Sequence, residues 1–141
     1  MANRPARRSL SLPDNGYEYS ALEYHQANVL RSRAYEGIRS LLDEYDLLFT
    51  PTLAAPPFEK GACAPRTIDR TAPASDLETF LTWRFNLTGH PAAFIPAGFS
   101  ADGLPLGAQI IGSRFEETTI LTASDAIERR RPWADDYPTV I

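Results

Sequence analysis

Few residues in this 141-residue chain are of a type that carries covalent chemistry: one cysteine (Cys63), two histidines (His25 and His90) and one lysine (Lys60). Cys63 lies in a proline-rich stretch, and a cysteine nucleophile needs a base such as His25 or His90 close in space. Nothing in the sequence brings either histidine to it. No G-x-S-x-G elbow presents a serine to a Ser-His-Asp set. The histidines are isolated, with neither H-E-x-x-H nor paired cysteines, so no metal is expected. His90, before Pro91, reads as structural or pocket-lining. Gly103, Gly107 and Gly112 fall within and after a strand, and Lys60 is not in Walker order, so no nucleotide or other cofactor is expected either. These residues alone describe an α/β body without a self-contained catalytic set.

The elements that must position them follow from periodicity. Ser20 and Glu23 form a capping-box pattern, and Ala27, Leu30, Ala34, Ile38, Leu41, Leu42 and Tyr45 then recur at spacings of three and four, which predicts an amphipathic helix over 20–44. Gly37 inside it suggests close packing against a neighbour. "YDLLFTP" predicts a short buried strand ended by Pro51. From Thr52 to Ala74 four prolines erase any period, leaving either a functional lining or a linker. Ser75 and Glu78 repeat the capping pattern ahead of Leu77, Phe80, Leu81 and Phe85, predicting a helix over 76–87 that stops at Gly89. Asp102-Gly103 between "AAFIPAGFS" and "LPLGAQIIGS" predicts a hairpin, with Pro96 and Pro105 weakening each run locally. Gly107 and Gly112 would permit close approach of neighbouring elements, and Gln109 a bond within the sheet. A last helix begins at Glu116 and Glu117 and ends at Arg129, Arg130 and Arg131, as the helix dipole favours. Its inward face would be Ile120, Leu121, Ser124 and Ile127. The three arginines read as a solvated helix end rather than a binding patch, and Trp133 and Tyr137 would pack down behind it.

Composition sets the class. Apolar residues make up 43% and charged residues 23%, in proportion for a globular body. Thirteen arginines are scattered among 18 acidic residues at a net charge of −4, so there is no basic face for nucleic acid. No apolar run approaches the ~20 residues that span a bilayer. A single cysteine suits a reducing cytoplasm, where the sequon at Asn86 carries no meaning. Residues 1–16 are basic and turn-rich without the apolar run of a signal peptide, and are expected to form a flexible arm.

From Tyr45 onward the chain resembles the C-terminal part of the amidase signature family, amide-hydrolysing enzymes that include the A subunit of the glutamyl-tRNA amidotransferase and bacterial general amidases. The resemblance rests on "YDLLFTPTLAAPP", "FNLTGHPAAFIPAG" and "DGLPLGAQIIGSRFEETTIL", in that order, and on the ending "PWADDYP". It implies an α/β fold with a mixed sheet and flanking helices, and a Ser-cis-Ser-Lys triad that converts an amide to an acid plus ammonia or an amine. The triad is not in these residues. No Gly-Gly-Ser-Ser-Gly-Gly-Ser block occurs, and Lys60 does not match the family's lysine, so no catalytic residue is assigned. By this reading residues 17–141 are a partial domain, the family's last third, expected to be inactive alone. Thr79, Trp83, Asn86 and His90 are the substrate-pocket candidates, with helix core and cap roles as the alternative. Thr79 stands near the place where the amidotransferase holds an acidic residue for the substrate amine, with Glu78 beside it. A general acyl amidase background is therefore implied. The expected partners are a small-molecule amide once a catalytic half is supplied, and that half itself or a second copy of this chain.

Overall fold

The computed structural model describes residues 19–73, 75 and 78–136. The expected basic arm and Tyr137 lie outside these residues. Helix α1 runs Ala21–Leu42 from the capping box at Ser20. The Ser20 hydroxyl accepts from the Glu23 N–H at 3.2 Å, and the Glu23 carboxylate accepts from the Ser20 N–H at 2.8 Å. Strand β1 is Leu47–Pro51, helix α2 Trp83–Thr88, strand β2 Ala92–Phe99, strand β3 Pro105–Gly112 and helix α3 Glu117–Arg130; a short 3-10 turn, Ala134–Asp136, follows.

The three strands form one antiparallel sheet in the order β1-β3-β2. β3 is central, and its punctuation is placed where a strand tolerates it. Pro105 takes the first position, where a missing donor costs least. Gly103 closes the hairpin turn by donating to the Ser100 carbonyl at 2.9 Å, with φ of 76°. Gln109 is buried and donates from Nε2 to the Thr50 hydroxyl at 2.8 Å, tying β3 to β1. Pro96 sits beside a register shift that ends at Gly98, which relieves β2 of a donor it lacks.

Register assigns the faces. Ile110 pairs with Ala93, and Ala108 with Ile95. These residues meet α3 through Ile120 and Ile127, with Leu47 and Trp133 completing the core. Ile111 lies on the opposite face and is equally buried. A side chain at Gly112 would press on Ile120 at 3.1 Å, so the close approach of α3 does require glycine there.

Several expectations change. β1 is an edge strand, half-buried rather than enclosed. The predicted helix over 76–87 shrinks to α2 because residues 79–81 pair with 52–54 through the isolated Leu53–Phe80 bridge. The Ala54 N–H donates to the Thr79 carbonyl at 2.9 Å and the Leu81 N–H to the Thr52 carbonyl at 3.0 Å. These bonds satisfy backbone that the sheet abandons after Pro51. Leu121 is exposed on α3, so the inward stripe is Ile120 and Ile127 with Ser124 half-buried. On α1 the body-facing side is Asn28, Tyr35, Ile38 and Leu42. The stripe of Ala27, Leu30, Ala34 and Leu41 faces outward, and nothing lies within 4 Å of a side chain built at Gly37.

Candidate functional site

The structure places the four pocket candidates at different depths in and around α2. Thr79 is fully buried behind the Leu53–Phe80 bridge. Trp83 opens α2 half-buried, Asn86 is exposed on α2, and His90 is buried just after the left-handed Gly89 that ends the helix. Among the described residues the Thr79 hydroxyl has no hydrogen-bond partner. A buried, unsatisfied hydroxyl costs about 1–3 kcal/mol, and valine has the same shape without it. Thr79→Val is therefore expected to raise unfolding free energy by about 1 kcal/mol in a urea titration.

His90 locks three segments together. Its ring stacks on Tyr35 of α1, with centroids 5.1 Å apart and planes 25° from parallel. Nδ1 lies 2.9 Å from the Thr88 hydroxyl. That hydroxyl is within 3.1 Å of the Arg84 carbonyl, to which it donates, so it accepts from a protonated Nδ1. Burial, and secondarily the nearby Arg114 cation, hold the His90 pKa below its ordinary value. A histidine with a depressed folded pKa stabilises the fold fully above the unfolded value and loses that stability as pH falls. Stability is thus expected to decline below about pH 6.5, and a His90→Phe variant, which keeps the stack, should lose part of that decline in pH-dependent melts.

A groove of about 1020 Å³ opens where β1 ends and the Pro51–Pro57 segment peels away from the sheet. That segment forms one wall. Phe94, the Pro96–Phe99 stretch and the start of β3 form another, and Arg131, Trp133 and Asp136 close one end. The Phe94 ring lies across Gly107, where any Cβ would overlap it. None of the four pocket candidates lines this groove, and neither does Cys63 or His25, both exposed. No group of three or more metal-ligating side chains occurs among the described residues. No described helix is long and apolar enough to cross a membrane.

The groove's main walls come from parts of the segments "YDLLFTPTLAAPP", "FNLTGHPAAFIPAG" and "DGLPLGAQIIGS", and the model of the Amidase family matches residues 5–121, which include all three. The chain belongs to the amidase signature family. AmiB2 of Mycobacterium tuberculosis is 39% identical over 114 residues, 79% of this chain and 23% of its own length. The A subunit of the glutamyl-tRNA(Gln) amidotransferase of Oceanobacillus iheyensis is 38% identical over 107 residues, 75% of this chain and 21% of its own. The crystal structure of a bacterial aryl acylamidase of the amidase signature family superposes with a TM-score of 0.77 at 30% identity, over 88% of this chain and 27% of that one. The chain thus spans about a quarter of the length of the amidases it matches.

The amidase blocks therefore do two jobs here. "NLTGHPAAF" builds the His90 lock, and the Pro-Thr block with the hairpin builds the groove. The proline-rich stretch 52–74 is open to either a lining or a linker, and of its described residues only 52–57 line the groove. Arg131 and Trp133 carried no comparable mark, since their place depends on the β2 bulge and on how α3 ends.

Proposed function

We propose that this chain is the C-terminal segment of an amide-hydrolysing enzyme and forms the substrate side of its site, while the Ser-cis-Ser-Lys triad comes from a catalytic part outside these 141 residues. The observation that carries this reading is the groove, whose walls are built from the family blocks and whose lining holds no nucleophile-base pair. Apolar walls suit the acyl or aryl group of a small amide. Thr79 and His90, both buried, then support the two ends of the α2 region from outside the groove lining, with Trp83 and Asn86 on α2 between them. A cytoplasmic location fits the single, exposed Cys63.

The purified chain is expected to hydrolyse no anilide or alkyl amide, and to do so only when mixed with, or fused to, a catalytic segment of the family bearing the Gly/Ser-rich block and its lysine. Turnover by the chain alone, surviving Lys60→Ala and Cys63→Ala, overturns the assignment. A second reading, a non-catalytic assembly module, is favoured by the outward α1 stripe and by β2, an eight-residue edge strand without a charged residue. It requires a dimer or a complex in solution, and a stable monomer by light scattering counts against it.

A further inference from the structure

Of the three consecutive arginines at the end of α3, Arg131 alone reaches the groove. Arg129 is held on the helix by Asp125 at 3.0 Å. Arg131 ends the helix at φ −140° and ψ 76°, its N–H bound to the Ile127 carbonyl at 2.8 Å, which turns its side chain off the helix and over β2. There the guanidinium rests on Gly98, where a Cβ would stand 2.9 Å from Nη2. Gly98 has φ of 104° and closes the register shift of β2. The bulge thus clears the place the guanidinium takes, a use of bulges that recurs beside binding sites. Among the described residues Arg131 has no ion-pair partner; Asp136 lines the same groove without pairing to it.

We propose that Arg131 is a specificity residue of the groove, selecting amides whose apolar acyl or aryl body carries a carboxylate. This deepens the reading of the groove as the substrate side and rests on it. The planar guanidinium offers parallel donors that a carboxylate accepts bidentately. Proline, alanine and phenylalanine walls supply the apolar surface on which the body of the same ligand would rest. A monoanion suits the site better than a phosphate dianion, because Asp136 shares the groove and repels added negative charge.

The test uses the whole chain and two probes of one shape, 3-phenylpropionate and 3-phenylpropanamide, with binding followed by NMR at the Gly98 and Gly107 amides. The carboxylate is expected to bind at least about tenfold more tightly than the neutral amide, the usual worth of a charge-assisted contact. Arg131→Gln should remove that preference and leave amide binding within about twofold, while Arg131→Lys keeps part of it. Arg131 is exposed, so neither variant threatens the fold. Equal binding of both probes, or a preference that survives Arg131→Gln, overturns the role of Arg131 and leaves the groove standing. Failure of either probe to shift the groove amides overturns the groove as a ligand site, and this proposal with it.

Discussion

Truncation of Ile110 to alanine is expected to cost about 2–5 kcal/mol of stability, the range for deleting buried branched side chains where the surroundings collapse only partly. Ile110 is fully enclosed at the centre of β3, with Phe49 and Ala93 as its register partners and Ile95 and Ile120 in the same cluster. β3 is bonded on both sides and α3 is fixed across it, so the space left behind cannot be filled by a shift of one element. Few other residues share the load, since the described core is small. Leu121→Ala, one residue beyond Ile120 but exposed, should change stability by no more than about 0.5 kcal/mol. Urea titrations of both variants check the pair; a loss below about 1 kcal/mol at Ile110 would place the core elsewhere.

The second large effect is expected at Gly112, where valine should destabilise by about 1–3 kcal/mol through overpacking. A Cβ there meets Ile120 Cγ1 at 3.1 Å and Cδ1 at 3.2 Å, and Leu47 Cδ2 at 3.6 Å. Ile120 is itself buried and cannot swing away, so α3 must lift from the sheet. Gly37 provides the contrast. It lies in the middle of α1 with open space around it, and Gly37→Ala should stabilise by about 0.5–1 kcal/mol through helix propensity alone. Thermal melts of the two glycine variants moving the same way would contradict this assignment of their surroundings.

Much of this architecture was legible because local rules act over a few residues. The Ser20 capping box, the left-handed glycine ending α2, the Asp102-Gly103 turn and Pro105 at the head of β3 all need only short-range geometry, and each stands where the pattern puts it. What failed depended on long-range pairing. Residues 79–81 fall inside the helix predicted over 76–87 from the Ser75 and Glu78 capping pattern, yet the backbone of 52–54 claims them, and tertiary hydrogen bonding overrides propensity. The single apolar stripe read on α1 places Ala34 inward, whereas the structure turns Tyr35 inward to stack on His90, a long-range contact that period alone does not carry. The groove was half legible. Proline density marked the whole of 52–74 as lining or linker without singling out the 51–57 wall, and the Arg131 end came from a bulge and a helix terminus that meet only in three dimensions.

α1 is one helix by its hydrogen bonds but is anchored along only part of its length. From Tyr35 to Leu42 it is gripped by His90, α2 and β1, whereas nearly every residue before Tyr35 is surrounded by water. Isolated helical turns of that length are marginal in water, and among the described residues the opening half has the Ser20 cap and its own propensity to hold it. Amide hydrogen exchange should grade along a single element, fast near Tyr24 and slow near Ile38, with the boundary at the aromatic stack. The chain thereby carries a segment whose order is decided by what comes to lie against it.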